Sequence, residues 1–234
     1  MKRLLLNILI LLVILTASAG GYFVYRGYRR YRSAVNETPP EAAAEVYENC
    51  SCCLAYEEID PDFVHAVVAV EDRRFFYREG FDWFALGRAI VNNLRAGRAV
   101  EGGSTIPQQI AKNLYFQGAP RGIDEKIAEV FIMSDLEELY SHEYLFAVYA
   151  NMNYYGDGYW GLANAAEGYY GTSASDLSIA QAAMLAGIPN APGIYQLSTG
   201  HDLALKRQQK ILNDMKKNKF ISDEEYELAL AENV

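Results

Sequence analysis

Two hydrophobic patterns divide the chain. Leu4 to Tyr25 is almost continuously apolar, interrupted mainly by Asn7, Thr16 and Ser18. At about 1.5 Å per residue it is long enough to cross a hydrocarbon core of about 30 Å. From Asp60 onward, apolar residues recur at helical spacing in short segments, and strand-like alternation is nearly absent. The patterns predict one N-terminal transmembrane helix followed by a mainly α-helical domain.

A cleaved signal peptide is the alternative interpretation of the N-terminal segment. Lys2 and Arg3 would form its basic region, and Ala17-Ser18-Ala19 would be its cleavage site. The apolar character continues to Tyr25, farther than the core of a signal peptide normally extends, which favours the anchor. Both interpretations lead to the exported compartment. The flanking charges conflict with this, because two basic residues precede the segment and four follow it closely, and the positive-inside rule would then place the domain inside.

Length and composition allow one domain of ordinary size beside the anchor, since the chain has 234 residues of which 51% are hydrophobic. We predict three segments: residues 1–33 as the membrane anchor with its basic flank, 34–59 as a juxtamembrane linker, and 60–234 as the globular domain. Cys50, Cys52 and Cys53 are the only cysteines and lie in the linker. Their bare C-x-x-C spacing lacks a further metal ligand or a thioredoxin-like context, so we interpret them as linker cysteines.

The helices of the domain have readable start signals. Asp60 followed by Pro61 is typical of an N-cap before a first helical proline, and Ser178 with Gln181 matches a capping box. The predicted helices begin at or near Asp60, Asp82, Ser104, Lys126, Ser178 and Ser222.

The charge distribution excludes one class of partner. Six of the 21 basic residues lie before Glu37, so the remaining segment holds 15 basic residues against 30 acidic ones. A domain this acidic would repel phosphates, and nucleic acid is therefore not an expected partner.

Three segments carry side chains suited to chemistry. Glu71 and Asp72 form a carboxylate pair at the end of the domain's first predicted helix, although such a pair is usually a solvated helix end. The segment from Gly102 to Asn113 begins with two glycines before a helix start, where free backbone amides attract phosphate, and it includes Lys112. The third segment is a tight aromatic loop from Asn151 to Gly161.

In this order and spacing, the three segments resemble glycosyltransferase family 51, the peptidoglycan glycosyltransferases. The resemblance runs from about Asp60 to the C-terminus and extends to Lys126, Glu129, Leu136-Glu137, Asp176-Leu177 and the segment from Leu185 to Pro192. It implies a lysozyme-like, mainly helical fold, in the form of the family that lacks a transpeptidase domain. It also implies a single-pass protein of the bacterial cytoplasmic membrane whose catalytic domain lies on the outer face.

The resemblance implies that the protein polymerises lipid II. The 4-hydroxyl of the acceptor's N-acetylglucosamine would attack the anomeric carbon of the growing chain's N-acetylmuramic acid, with inversion and release of undecaprenyl diphosphate. The implied partners are lipid II, the growing glycan chain, membrane lipid and other cell-wall synthesis proteins. No cofactor is required and no cluster of metal ligands is predicted, although Mg²⁺ or Mn²⁺ could share the charge of the diphosphate.

The resemblance also assigns roles to single residues. Glu71 would be the general base that removes the hydroxyl proton, and Asp72 would orient its surroundings. Positive charge and amide donors for the diphosphate would come from Lys112, Lys126 and the helix start at Ser104 and Thr105. The remaining substrate-binding residues would be Gln108, Gln109, Asn113, Glu129 and Asn151.

Four positions depart from the family pattern. Arg78 stands at the family's histidine, Pro107 at a threonine, and Glu125 at an arginine expected to contact phosphate. Ala147 stands where the pattern places a second important glutamate. Glu143, one turn earlier on the same helix face, could partly replace it, although a solvated surface carboxylate is the simpler interpretation.

Two main hypotheses follow from this combination. The retained residues favour an active polymerase, whereas Glu125 and Ala147 favour a catalytically impaired relative that binds lipid II or a cell-wall synthase as a scaffold. A glycan-cleaving enzyme is a weaker third hypothesis. It would need a dry pocket around a protonated Glu71, which the charged neighbours Arg73 and Arg74 disfavour.

Overall fold

The computed structural model describes residues 2–47, 52–78, 80, 104–118 and 122–234. The α-helices in these ranges, numbered in chain order, are α1 (Lys2–Glu37), α2 (Pro40–Glu45), α3 (Pro61–Val70), α4 (Ile106–Tyr115), α5 (Ile123–Leu139), α6 (His142–Met152), α7 (Leu162–Tyr170), α8 (Ile179–Gly187), α9 (Pro192–Tyr195), α10 (Leu197–Lys217) and α11 (Asp223–Ala231). Short 3-10 helices span Tyr56–Glu58 and Ile188–Asn190. No strand occurs in the described ranges, which confirms the mainly α-helical prediction.

The first helix is long and apolar enough to cross a membrane. Its candidate span, Leu5–Glu37, has a mean hydropathy of 2.1, and none of the apolar window is buried against the rest of the chain. The helix continues without interruption past Tyr25 to Glu37. Residues 34–59, which we predict to be a linker, therefore contain the end of α1 together with α2 and the first 3-10 helix.

A single hydrophobic core joins the helices of the domain. It includes side chains from α3 to α8 and from α10 and α11. Fully buried members drawn from five different helices are Phe63, Ile110, Leu136, Phe146 and Leu185. Burial of each such side chain contributes about 1.5–3 kcal/mol, so the core fixes the helices that carry the candidate site.

Local capping explains where α3 begins. Asp60 Oδ1 accepts a hydrogen bond from the backbone N of Asp62 at 2.8 Å, and Pro61 occupies the first helical position, as predicted. The buried Phe63 and Val67 hold one face of the helix in the core. Glu71 is the residue at which α3 ends, so its backbone is fixed by the helix.

The other predicted helix signals have mixed outcomes. The capping boxes at Ser178 and Ser222 are both present, which confirms the starts of α8 and α11. The third predicted helix starts one residue later than expected, because Thr105 and not Ser104 is the N-cap of α4. The predicted helix beginning at Asp82 lies outside the described residues.

The linker is fastened to α6. The amide group of Asn151 brackets Leu54, since Oδ1 accepts from Leu54 N at 3.0 Å and Nδ2 donates to Leu54 O at 2.9 Å. Cys53, beside this contact, is disulfide-bonded, and Cys50 lies outside the described residues. These contacts hold the second half of the linker against the domain.

Candidate active site

Glu71 lies between two side chains that donate hydrogen bonds to it. Gln109 Nε2 donates to Glu71 Oε2 at 2.7 Å, and an Arg207 guanidinium nitrogen lies 3.4 Å from Glu71 Oε1. The Glu71 side chain keeps 16% of its surface exposed. A carboxylate has about four acceptor positions, so these two contacts leave Glu71 able to accept a proton from a bound hydroxyl.

A glycine on a neighbouring helix leaves room for the stem of Arg207. A Cβ atom at Gly187 would lie only 2.8 Å from Arg207 Cγ and 3.2 Å from Ile211 Cδ1. Any side chain there would displace the stem of Arg207. Sequence reasoning missed Arg207, since 136 positions separate it from Glu71 and only the packing of α10 against α3 brings them together.

A buried tyrosine lies close enough to Glu71 to feel its charge. Tyr149 is fully buried, and this burial raises its pKa well above the ordinary value, with the negative charge of Glu71 adding to the shift. Tyr149 is therefore neutral at physiological pH.

Asp72 is committed to a buried ion-pair network. Its Oδ2 lies 2.9 Å from one terminal nitrogen of Arg78 and 3.3 Å from Arg78 Nε. The other terminal nitrogen of Arg78 lies 2.7 Å from Glu137 Oε1 and also donates to the carbonyl of Gly80. Only 3% of the Arg78 side chain and 2% of the Asp72 side chain is exposed. Asp72 therefore holds the segment after Glu71 in place.

Charge and burial act against each other in this network. Burial alone would lower the pKa of Arg78, but Asp72 and Glu137 raise it above the ordinary value, so Arg78 stays charged. Burial raises the pKa of Glu137, and Arg78 partly opposes that shift. The arginine that replaces the family's histidine thus has a structural role that the sequence did not reveal.

Lys126 joins the start of α4 to a buried glutamate. Its Nζ donates to Ser104 Oγ at 2.8 Å and lies 2.7 Å from Glu129 Oε2. Only 2% of the Glu129 side chain is exposed, whereas 47% of the Lys126 side chain is. The ammonium group is therefore fixed from the protein side and still faces solvent.

A side chain within α4, that of Gln108, caps the start of this helix. Gln108 Oε1 accepts a hydrogen bond from Thr105 N at 3.0 Å, and Gln108 is buried. The amide of Thr105 is therefore not available to a phosphate here, in contrast to the expected role of this helix start. Pro107 lies in the first turn, where its missing N–H breaks no helical hydrogen bond, so the helix persists as predicted.

Asn113 and Lys112 lie toward the other end of α4. Asn113 Nδ2 donates to Asn153 Oδ1 at 3.3 Å, and Asn153 Nδ2 donates to the carbonyl of Tyr149 at 2.9 Å. This chain of polar contacts leads back to Tyr149, the tyrosine near Glu71. Lys112 is half-buried on the same helix.

Ala147 and Asn151 lie on α6, where they border a different space. Ala147 lines a cavity of about 410 Å³ between the linker and α6, together with Asn151, Tyr56 and Glu143. None of Glu71, Ser104, Lys126 and Glu129 belongs to that lining. Glu143, the candidate replacement for the missing carboxylate at position 147, lines this cavity with Ala147.

The helix α4 unites most of the predicted site. Gln109 in its first turn binds Glu71, and Ser104 just before it binds Lys126, so these two contacts are on the order of 10 Å apart. Two carboxylates, Glu71 and Glu129, thus flank one helix start. The described ranges hold no group of three or more His, Cys, Asp and Glu side chains that could bind a metal ion. The glycines of the second motif, Gly102 and Gly103, lie outside the described residues.

Comparison with known proteins identifies the family of this arrangement. A family model described as Transglycosylase matches residues 40–216. Penicillin-binding protein 1A of Aquifex aeolicus is 32% identical over 98% of this chain, and penicillin-binding protein 1A of Streptococcus oralis is 33% identical over 90% of it. Penicillin-binding protein 1A/1B of Bacillus subtilis is 37% identical over 85% of the chain.

The match covers only part of each relative. The chain spans 33% of the length of the Aquifex aeolicus protein, 35% of the Streptococcus oralis protein and 22% of the Bacillus subtilis protein. The family model nevertheless covers most of this chain and every candidate site residue named above. The chain therefore belongs to the transglycosylase family, glycosyltransferase family 51.

Proposed function

We propose that this chain is a peptidoglycan glycosyltransferase that polymerises lipid II into glycan strands. One observation carries the proposal: α4 links Glu71, through Gln109, to Lys126 and Glu129, through Ser104. A carboxylate able to accept a proton and an exposed ammonium group thus lie at one helix start. These are the two groups that transfer of a sugar from a diphosphate requires.

Glu71 acts as the general base in this proposal. Its carboxylate accepts the proton of the acceptor's 4-hydroxyl as the oxygen attacks the anomeric carbon, while Gln109 and Arg207 hold the carboxylate in position. Attack on the face opposite the leaving diphosphate inverts the configuration. The proton stays on Glu71 until solvent takes it up.

The leaving undecaprenyl diphosphate needs positive charge more than a proton. Lys126 supplies it, since its ammonium group is held by Ser104 and Glu129 and still faces solvent. Lys112 extends the positive charge along α4. A bound Mg²⁺ or Mn²⁺ would be carried by the diphosphate oxygens, since the described part of the chain offers no ligand cluster for it.

The same proposal places the domain at the outer face of the cytoplasmic membrane. The charges flanking the anchor oppose this orientation, because the positive-inside rule counts all four arginines after the apolar segment, including Arg26 and Arg30, which pair with Asp124 and Glu125 in the folded protein. A reporter active only outside the cytoplasm, fused after Val234, is expected to be active, whereas a signal from a cytoplasmic reporter would contradict the proposed orientation.

The activity test uses the detergent-solubilised chain and purified lipid II, with glycan strands separated on a gel. We expect polymer from the unchanged chain and none from Glu71→Gln. The matched control is Glu143→Gln, which removes a carboxylate at the cavity beside α6, and it should polymerise normally. Lipid II binding without polymer, unaffected by Glu71→Gln, would establish the scaffold hypothesis instead.

A further inference from the structure

The end of α1 packs along α5, the helix that carries Lys126 and Glu129. The rings of Tyr28 and Tyr31 both lie 5.4 Å from the ring of Phe131. A Cβ atom at Gly27 would overlap the side chain of Ile127, so the two helices approach closely at that point. The membrane helix is therefore docked on a helix of the candidate site by specific contacts.

Two ion pairs continue this contact at the first turn of α5. An Arg26 terminal nitrogen lies 2.5 Å from Asp124 Oδ2, and Arg30 Nε lies 3.6 Å from Glu125 Oε1. The two arginines are four residues apart and so share one face of α1. The Arg30 guanidinium also lies 5.3 Å from the ring centroid of Phe116, at the end of α4. Arg30 thus lies where α4 ends and α5 begins.

Glu125 has a structural task that brings a negative charge close to the site. Its Oε2 accepts a hydrogen bond from Gly122 N at 3.1 Å and so caps α5, where a carboxylate also suits the helix dipole. The next residue is Lys126, and although successive side chains on a helix do not face each other, their charges lie on the order of 10 Å apart, within about one Debye length. Without a counter-charge, the Glu125 carboxylate would weaken the attraction of Lys126 for a diphosphate.

We propose that Arg30 of the membrane helix is a positioning residue of the glycosyltransferase site, which neutralises Glu125 and so preserves the positive potential around Lys126. The proposal rests on the function proposed above. It makes the anchor a part of the site, because the guanidinium that offsets Glu125 comes from α1. The effect is moderate, since 43% of the Arg30 side chain and 22% of the Glu125 side chain is exposed. Pairs of this exposure correspond to changes of about twofold to fivefold in an equilibrium constant.

The test is a double-mutant cycle on the full chain in detergent, with the KM for lipid II as the measurement. Arg30→Ala should raise KM about twofold to fivefold with kcat nearly unchanged, and Arg30→Lys should restore KM. Glu125→Gln keeps an acceptor for Gly122 N but removes the charge, so KM should stay equal or fall. In the Glu125→Gln background, Arg30→Ala should have no effect.

The matched control is Arg29→Ala. Arg29 is exposed on the neighbouring position of α1, so its removal changes the charge near the membrane surface by the same amount. It should leave KM unchanged. An equal effect of Arg29→Ala and Arg30→Ala would overturn the proposal, because general surface charge would then be responsible.

A second outcome would also overturn it. If Glu125→Gln raises KM as much as Arg30→Ala does, the pair is a mechanical tie between helices and not a means of neutralising charge. Failure of the proposed function can be distinguished from failure of this proposal, because the Kd for lipid II can be measured even for a chain that forms no polymer. The same cycle, measured as Kd for fluorescently labelled lipid II, should then show the same pattern.

Discussion

Replacement of Arg78 by methionine should destabilise the domain strongly. Methionine occupies a similar volume but leaves Asp72 and Glu137 buried without their counter-charge, with 2% and 8% of their side chains exposed. Removing one partner of a buried ion pair costs about 3–5 kcal/mol. Since domains are stable by about 5–15 kcal/mol in total, Arg78→Met should remain folded but marginal.

Thermal unfolding measures this effect directly. A domain of this size loses about 2–4 °C in Tm per kcal/mol, so Arg78→Met should lower Tm by about 6–20 °C. The matched control is Arg73→Met, which removes an exposed arginine from the same segment and should change the free energy of unfolding by less than about 0.5 kcal/mol. A Tm for Arg78→Met within 2–3 °C of the unchanged protein would refute the proposed importance of the network.

The pH dependence provides an independent check on the cause. Burial already raises the pKa of Glu137 with Arg78 present, and loss of the arginine removes the group that opposes this shift. A carboxyl group whose pKa is raised in the folded state stabilises the protein at pH below its unfolded-state pKa. That stabilisation is lost as pH rises through its folded-state pKa. The deficit of Arg78→Met should therefore shrink at acidic pH, as the unpaired carboxyls protonate. A deficit that stays constant with pH would indicate lost packing instead.

Three further predictions test other contacts. Gly187→Ala should displace Arg207 and lower the rate of polymerisation about tenfold. The control is Gly193→Ala, where a Cβ meets no atom within 4 Å and the rate should not change. Equal rates for the two variants would refute the role of Arg207. Asn151→Ala should lower the free energy of unfolding by about 1–3 kcal/mol and speed amide hydrogen exchange at Leu54. A raised KM for lipid II without loss of stability would instead make Asn151 a substrate contact. Burial alone would raise the pKa of Asp157, but hydrogen bonds from Ser198 and Tyr169 lower it below the ordinary value. Ionised Asp157 therefore stabilises the protein above its unfolded-state pKa, and this stabilisation is lost as pH falls through its folded-state pKa. The deficit of Asp157→Asn in urea unfolding should therefore begin to shrink as pH falls below about 4 and disappear only below the lowered folded pKa, and a deficit that does not shrink would contradict this.

The parts of the fold that depend on neighbouring residues could be predicted from the sequence. The start of α3 at Asp60 and the capping boxes at Ser178 and Ser222 are set by hydrogen bonds that span two or three residues. The length of the apolar segment likewise predicts α1. The same local reasoning misplaced the start of α4 by one residue, because Ser104 and Thr105 are both good caps and Gln108 selects Thr105.

Contacts between helices could not be predicted in this way. Arg207 reaches Glu71 because α10 packs against α3 while Gly187 of α8 leaves room for the Arg207 stem, and no local pattern in these helices signals the contact. The position of Ala147 is a further example. Periodicity places it on a face of α6, but only the packing of the linker shows that this face borders a cavity lined by Tyr56 and Glu143.

Each of the four departures from the family pattern has its own local setting in the structure. Arg78 lies in a buried ion pair, Pro107 lies where no helical hydrogen bond is lost, Glu125 is paired with Arg30, and Ala147 lines the cavity between the linker and α6. None of them contacts the carboxylate of Glu71 or the ammonium group of Lys126 in the described hydrogen bonds and ion pairs. The contacts of Glu71 with Gln109 and Arg207, and those of Lys126 with Ser104 and Glu129, do not involve these four positions. The proposed polymerase activity depends on these contacts.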